Sequence, residues 1–211
     1  MSAPPRYLLC TAIVLGAHGL AGAQGAQGAD SWNVASGDVR VRCRLTVGGS
    51  FEAVTSTISG TLRSDAADAA SYAGALRVDL ATLDSGIGLR NSHLRGNYLE
   101  VERGPDFRHA VLSDIRLDDP LPAGDGRHET RFAANLSLHG VQRPVEGNAE
   151  LHRRNGRIAV EAALSLSLEA FDIPPPRYLG VGVRDRIAIE IAFDAVDSGV
   201  APRESPGGGS P

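Results

Sequence analysis

The sequence predicts an all-β protein, folded as an antiparallel β-barrel of about eight strands with a short helical insertion near residues 87–101. Apolar and polar residues alternate over several long stretches, which is typical of strands with one face in a core. Glycine-rich and polar breaks separate these stretches, and Asn155-Gly156 is the clearest hairpin turn among them. One segment has helical spacing instead. These three observations favour a meander of strands that closes on itself and is interrupted once.

The most regular early strand covers residues 39–47, where apolar positions alternate with polar ones: Val39, Val41, Cys43, Leu45 and Val47 against Arg40, Arg42, Arg44 and Thr46. The apolar groups then share one face, and the arginines form an outer face exposed to solvent. The same alternation predicts strands at 76–80, 111–117, 132–138, 145–151, 158–168 and 187–193. Weaker patterns predict one strand at 32–35 and another at 51–62. Short strands in this number favour a sandwich or a barrel.

The segment 87–101 interrupts the strands. Its apolar positions follow helical rather than alternating spacing: Ile87, Leu94, Tyr98, Leu99 and Val101. Asp84 or Ser85 is suited to cap the start of this helix. We expect Pro105 to return the chain to an extended conformation, because proline disfavours helix in the residue before it. Three consecutive prolines at 174–176 predict a stiff loop over one end of the barrel.

Residues 1–23 have the features of a secretory signal peptide, with Arg6 before an apolar run and small residues at the cleavage site. Cleavage leaves a soluble exported protein, periplasmic or secreted, and an uncleaved membrane anchor is the alternative. Residues 24–30 are expected to form a flexible segment and residues 199–211 a disordered tail. The folded domain is therefore predicted over residues 31–198.

Composition excludes several classes of protein. A net charge of −4, with 42% hydrophobic and 22% charged residues, excludes a wholly disordered chain and gives no basic field for nucleic acid. All 21 Lys or Arg residues are arginine, which excludes a Schiff-base lysine and a Walker-type phosphate loop. The histidines are scattered without ligand spacing, so we expect neither a metal nor a cofactor. Signal cleavage removes Cys10 and leaves Cys43, predicted to be a buried, unreactive thiol.

The interior of the predicted barrel is expected to be apolar and incompletely filled, because aromatic residues are only 5% of the chain. A barrel of about eight strands either fills its interior with side chains or holds one small ligand. Aliphatic side chains of small and medium size would leave an elongated tube that suits a flexible hydrocarbon. The predicted lining is Val41, Leu45, Leu76, Val78, Leu136, Leu138, Ile158, Val160, Leu164, Ile189 and Ile191. A fully packed sandwich without a cavity is the alternative.

Three ordered segments resemble the signature of the YceI-like family, the lipid- or polyisoprenoid-binding proteins. They are 82–94 with its continuation to Phe107, 136–145 (Leu-Ser-Leu-His-Gly-Val-Gln-Arg-Pro-Val), and Phe171-Asp172-Ile173 followed by 184–191. The resemblance implies a lipocalin-like periplasmic barrel that binds a long-chain amphipathic lipid, polyisoprenoid, quinone-like or fatty, and that has no catalytic residues. The sequence departs from the family at Asn91, where Asp is usual, which removes the carboxylate that a polar network there would use.

Arg90, Asn91 and His93, at the start of the predicted helix, are the candidates for contact with the polar head of such a lipid. The alternative is that they support the fold alone, with Arg90 paired to a loop carboxylate. Two other functions stay open: an enzyme acting on an apolar substrate with His93 as acid or base, and a secreted structural β-domain without a ligand. The outer arginine face leaves transient contact with an anionic membrane surface as an alternative. A homodimer is equally open.

Overall fold

The computed structural model describes residues 30–178 and 181–198, in which one antiparallel sheet dominates. The strands are β1 Ser31–Arg44, β2 Ser50–Thr55, β3 Ile58–Ser64, β4 Ser71–Asp79, β5 His109–Leu117, β6 Gly126–Leu138, β7 Val141–Arg154, β8 Arg157–Ser167, β9 Arg177–Tyr178, β10 Val181–Gly182 and β11 Arg186–Asp197. The helical elements are α1 Gly88–His93, a π-helical turn Leu94–Tyr98, α2 Pro105–Arg108 and the 3-10 turns Leu80–Thr82, Val101–Arg103 and Glu169–Phe171.

The sheet closes into a barrel. Neighbouring strands pair antiparallel from β3 to β8, and β11 pairs with both β8 and β1. The closing pair joins residues 32–42 of β1 to residues 188–197 of β11. Eight strands form the wall, β1, β3 to β8 and β11, while β2 pairs with the second half of β1. This topology confirms the predicted antiparallel barrel with a helical insertion.

The two ends of the barrel differ in what covers them. At one end, here termed the mouth, lie the β1–β2 turn, the helical segment 80–108 and the connection from β8 to β11. At the far end lie the β5–β6 connection and the β7–β8 turn. That turn is the predicted Asn155-Gly156 hairpin, and both residues have the positive φ of a type I′ turn, 51° and 72°.

One strand replaces the two that were predicted at 32–35 and 39–47. β1 runs through the interval between them, with a β-bulge between Val34 and Ser36. Gly37 lies in that interval because a Cβ there would come within 2.6 Å of Ala192 O and of Phe193 Cβ. The prediction of a break was wrong because a glycine that serves close packing resembles, in sequence, a glycine in a turn.

Two strands replace the single strand that was predicted at 51–62. The chain bends at Ser56 and Thr57, so β2 stays beside β1 and β3 joins β4. Three hydroxyls meet at the bend: Thr82 Oγ1 lies 2.5 Å from Thr55 Oγ1 and 2.7 Å from Thr57 Oγ1. The bend leaves the outer edge of β2 unpaired with β4, and a single bridge between Val54 and Asp84 joins that edge to the helical segment.

The helical insertion is more broken than predicted. The π-helical turn follows α1 directly, and Glu100 then enters the left-handed region at φ 49° before a further 3-10 turn. Pro105 does not return the chain to an extended conformation; it is the first residue of α2, and the strand resumes only at His109. Proline is favourable at this position because the first helical N–H has no intrahelical partner to lose.

The outer face of β1 is solvated, as the arginine alternation predicted. Arg40 and Arg42 are exposed, and both pair with Glu52 on β2, with Arg42 Nη2 2.8 Å from a Glu52 carboxylate oxygen. The predicted signal peptide, residues 24–29 and the predicted tail 199–211 lie outside the described residues. No helix in the described ranges has the length and apolar character needed to cross a membrane.

Candidate functional site

The barrel encloses a central cavity of about 140 Å³ with an almost wholly aliphatic wall. Residues predicted from the strand alternation that line it are Val41, Leu76, Val78, Leu136, Leu138, Leu164, Ile189 and Ile191. The segments that cover the mouth complete the wall with Leu83, Leu94, Leu99 and Ile173. An apolar cavity of about 150 Å³ stays dry and accepts benzene, so this space holds a small apolar group without movement of its wall.

A second apolar cavity, of about 80 Å³, lies toward the far end. Ile158 and Val160, both predicted as lining residues, border it together with the large rings of Trp32, Phe132 and Phe193. Leu76, Leu112 and Ile191 border both cavities and therefore stand between them. A ligand longer than the central cavity reaches the second one when these aliphatic side chains change rotamer.

An antechamber of about 460 Å³ adjoins the central cavity at the mouth. Both spaces are bordered by Phe51, Leu94, Tyr98, Pro176 and Val183. Leu45, predicted to line the barrel interior, borders the antechamber instead, because the chain leaves β1 at Arg44 and Leu45 forms a bridge with Val183. These five shared side chains therefore stand between the central cavity and the antechamber, which adjoin at the mouth.

Arg90 and His93 both border the antechamber. The guanidinium carbon of Arg90 lies 4.3 Å from the centre of the Phe51 ring, a cation–π contact that holds the charge beside the opening. No carboxylate of the described residues pairs with Arg90, so the predicted alternative of a loop ion pair is not found there. Arg177, which the sequence interpretation passed over, borders the same space. The antechamber lining contains no acidic side chain among the described residues.

Asn91 does not border any of these three spaces; its side chain binds the loop before α1. Its Nδ2 donates to Asp84 Oδ1 at 2.7 Å, while the backbone and hydroxyl of Ser85 donate to its Oδ1 at 2.8 and 2.7 Å. The hydrogen bonds from Asn91 and from the Gly86 amide lower the pKa of Asp84. An aspartate at position 91 would face Asp84 without a donor, so asparagine fits this loop. The residue that precedes α1 is Ile87, which offers no side-chain cap. The predicted cap residues Asp84 and Ser85 therefore do not cap this helix.

Cys43 is the free thiol of the described residues, and it borders the central cavity. Burial raises its pKa to about 11, and the charge of Arg90 lowers it only in part. At neutral pH the side chain is therefore a neutral apolar group, consistent with the sequence prediction of an unreactive thiol.

His139 links two of the segments that cover the mouth. Its ring is buried, with Nδ1 3.1 Å from the Phe171 carbonyl oxygen and Nε2 3.2 Å from Glu100 Oε2. Phe107 packs edge-on against the same ring, with the two centres 4.8 Å apart. In the sequence His139 lies within the family-like segment 136–145, but nothing there indicated its partners. Its position beside the helical segment results from the β6–β7 turn, where its φ is 54°.

Several lining residues were not predicted because they lie outside the strand alternation. Phe51 is the second residue of the short strand β2, and Pro176 and Val183 belong to a connection without regular spacing. Leu94 and Tyr98, in the helical insertion, also line the cavity. Their helical spacing predicted that they pack against the rest of the protein, but it did not indicate a cavity. In residues 30–178 and 181–198 no group of His, Cys, Asp and Glu side chains has the arrangement of a metal site.

The closed antiparallel barrel, its apolar interior and the helical segment across one end define a lipocalin-like β-barrel protein. The sequence model of the YceI-like domain matches residues 32–195, and the chain belongs to the YceI-like family. This finding confirms the resemblance of the three ordered segments. A comparison with curated proteins finds no match.

Two solved structures have the same fold. One is a polyisoprenoid-binding domain from Saccharophagus degradans implicated in plant cell wall breakdown, with a TM-score of 0.59 and 14% identity over 79% of this chain and 98% of that domain. The other is BcnA of Burkholderia cenocepacia, with a TM-score of 0.59 and 19% identity over 76% of this chain and 96% of that protein. Both alignments cover nearly the whole of the other chain, so the barrel described here is the complete shared fold.

Proposed function

We propose that the protein binds a long-chain amphipathic lipid, a polyisoprenoid, a quinone-like lipid or a fatty acid or amide, and sequesters or transports it. The observation that carries this proposal is the apolar cavity inside the barrel, adjoined at the mouth by an antechamber with a cationic side chain on its wall. Membership of the YceI-like family and the fold shared with a polyisoprenoid-binding domain support the same ligand class.

The tail of the ligand supplies the binding free energy in this proposal. Each methylene moved from water into an apolar interior contributes about 0.8 kcal/mol. The walls of the two barrel cavities offer aliphatic and aromatic surface throughout, so no polar contact along the tail is needed. The tail enters past Phe51 and Tyr98, occupies the central cavity and reaches the far cavity by displacing the Leu76, Leu112 and Ile191 side chains.

The head of the ligand stays in the antechamber. Arg90 offers guanidinium hydrogen bonds there, and His93 and Arg177 border the same space. Asn91 contributes indirectly by holding the 84–86 loop on which α1 begins. A carboxylate, phosphate or carbonyl head is therefore favoured over a positively charged one.

A binding role accounts for this interior better than catalysis does. Cys43 and Tyr98 are the titratable side chains on the central cavity wall, and His93 borders the antechamber rather than the cavity. General acid–base chemistry on an apolar substrate needs a titratable group within hydrogen-bond reach of the reacting atom. A structural β-domain without a ligand is disfavoured for a different reason. Protein interiors are normally close-packed, and a cavity that stays empty contributes nothing to stability.

Export of the protein to the periplasm is part of the proposal, supported by the charged, apolar and small-residue pattern of residues 1–23. Intact mass of the exported protein tests it, because cleavage after Ala23 predicts a chain that begins at Gln24. A mass that retains these residues would contradict export by a cleaved signal.

Native mass spectrometry and organic extraction of the exported protein, purified without detergent, test the ligand. We expect a stoichiometric lipid, and we expect Ala110→Leu, which fills the central cavity, to abolish its recovery. Ala133→Leu is the matched control, since Ala133 is exposed on the outer face of β6. Empty wild-type protein in repeated preparations, or equal recovery from Ala110→Leu, would contradict the proposal.

A further inference from the structure

Exposed apolar side chains gather around the opening of the antechamber. Val47, Ile87, Leu89 and Val181 are 70%, 49%, 66% and 37% exposed, and they are four of the five exposed large hydrophobic residues in the described ranges. Ile87, Leu89 and Val181 border the antechamber itself. Val47 follows Thr46, whose amide donates to the Gly182 carbonyl at 2.8 Å, so the tip of the β1–β2 turn adjoins the same opening.

Four arginines belong to the same region of the surface: Arg44, Arg90, Arg177 and Arg184. None of them forms an ion pair with a carboxylate of the described residues, whereas the wall arginines Arg40, Arg42, Arg127 and Arg131 all do. The Arg184 backbone amide donates to the Arg44 carbonyl at 2.8 Å, which brings two of the four side by side. We call these arginines and the four apolar residues the mouth rim.

Asp84 and Asp185 are the carboxylates nearest in sequence to the mouth rim, and both accept hydrogen bonds from other groups. Asp84 accepts from Asn91 and from the Gly86 amide, and Asp185 accepts from the Glu169 amide at 2.8 Å. Neither carboxylate forms an ion pair with the four arginines. The mouth rim therefore combines exposed aliphatic groups with net positive charge, on a protein whose overall net charge is −4.

We propose that the mouth rim docks on a bilayer surface containing anionic phospholipid. Exposed aliphatic groups enter the acyl boundary while arginines contact phosphate groups, which is the chemistry of an interfacial membrane site. The purpose of docking rests on the proposed function: the rim encircles the route into the barrel, so a lipid tail passes between bilayer and cavity without entering water. The wall strands also carry arginines without an ion pair, but Val54 is the one exposed large apolar residue of the described ranges outside the mouth rim.

Vesicle flotation tests this proposal directly. The exported protein is mixed with vesicles of phosphatidylcholine alone, or with about one-third phosphatidylglycerol to supply anionic headgroups. We expect flotation only with the anionic vesicles, and its loss at about 1 M salt, where the Debye length falls to ~3 Å. Binding to neither kind of vesicle would overturn the proposal, as would equal binding to both.

Matched charge reversals locate the surface. Arg44→Glu lies in the mouth rim and Arg154→Glu at the far end, and both side chains are exposed and carry no ion pair among the described residues. We expect Arg44→Glu to weaken vesicle binding by at least about fivefold, the value of one arginine near an anionic surface, and Arg154→Glu to leave it unchanged. Val47→Asp is expected to weaken it as well. Equal effects of Arg44→Glu and Arg154→Glu would overturn the assignment to the mouth.

The same preparations separate docking from ligand binding. Lipid recovered from protein that does not float overturns docking and leaves the proposed function standing, whereas flotation of protein that never contains lipid supports docking and counts against the function. Analytical ultracentrifugation identifies the competing occupant, a second copy of this chain. A dimer that Val47→Asp dissociates, with no change in flotation, would overturn the membrane assignment.

Discussion

His139 and Glu100 join the β6–β7 turn to the helical segment at the mouth, with Nε2 and Oε2 3.2 Å apart. The other ring nitrogen faces the Phe171 carbonyl at 3.1 Å. A carboxylate and a carbonyl only accept hydrogen bonds, so the imidazole makes both contacts as donor only when both its nitrogens carry protons. The buried ring thus connects the β6–β7 turn to two of the segments that cover the mouth.

Removing this ring is expected to destabilise the barrel. His139→Asn deletes both contacts while keeping a residue type that tolerates positive φ. We expect the free energy of unfolding to fall by about 2 kcal/mol, the cost of losing buried hydrogen bonds. Urea denaturation measures it, and a double-mutant cycle with Glu100→Gln isolates the pair. A coupling energy near zero would show that His139 and Glu100 act independently.

The Cys43 thiol is expected to react slowly with iodoacetamide in the folded protein. Its pKa of about 11 leaves little thiolate at pH 8, so the rate should rise about tenfold with each pH unit up to pH 10. Because the folded pKa lies above the ordinary value of 9.0, this group contributes stability below pH 9 that is lost as pH rises toward 11. Peptide mapping of alkylated Cys43 measures the rate. A plateau near pH 9 would contradict a buried thiol.

Arg90→Gln removes the positive charge of Arg90 at the mouth and leaves the cavity lining unchanged. Arg90 lowers the pKa of Cys43, so we expect alkylation of Cys43 to slow further in this variant. We also expect retention of a bound anionic lipid to fall, whereas Arg154→Gln at the far end changes neither quantity. Faster alkylation together with unchanged lipid retention would indicate that Arg90 only shields the opening by packing on Phe51.

Asp79 and Arg108 form a two-point ion pair where β4 ends and α2 ends, with contacts of 2.9 to 3.3 Å. Burial raises the pKa of Asp79, but hydrogen bonds from Arg108 and the Ala81 amide outweigh it and lower the pKa below 3.8. The resulting stability is present above pH 4 and is lost as pH falls through the lowered value. Asp79→Asn should cost about 1 kcal/mol at pH 7 and less at about pH 2. Urea titrations at both pH values measure the difference; an equal cost at both would contradict an ionic origin.

Gly37→Ala is expected to be costly although glycine is usually unfavourable within a strand. The new methyl group would meet Ala192 O and Phe193 Cβ at 2.6 Å, and both belong to the β11 strand that closes the barrel. Overpacking of this kind costs about 1–3 kcal/mol. Gly124→Ala is the control, because nothing lies within 4 Å of its added Cβ. Thermal unfolding of the two variants gives the comparison, and equal melting temperatures would contradict it.

The strand lining could be predicted because its signal is local. In a strand every second side chain points to the same face, so Leu136 and Leu138 on β6, or Ile189 and Ile191 on β11, are identified as inward without knowledge of the partners. Closure of the sheet then brings these faces together. The family resemblance added the expectation of a hollow interior, which the alternation alone left open.

The mouth could not be predicted in the same way because long-range contacts assemble it. Val183 reaches the opening by pairing with Leu45, far away in sequence, and Phe51 meets Arg90 only because β2 leaves the path of β3. Asn91 shows the reverse problem: its position in the motif suggested ligand contact, while its amide is occupied by Asp84 and Ser85. A motif identifies residues that matter without distinguishing what they touch.

The bend at Ser56 and Thr57 leaves a gap in the sheet, here termed the seam, where β2 and β4 do not pair. No ladder of backbone hydrogen bonds crosses this seam, and side chains of the 80–99 segment fill it. Leu83, Leu94 and Leu99 enter the interior through this seam. Insertions, deletions or bulkier residues in that segment change the inner volume without shifting the register of any strand. We therefore expect substitutions in this segment to alter the shape of the interior while the strands keep their pairing.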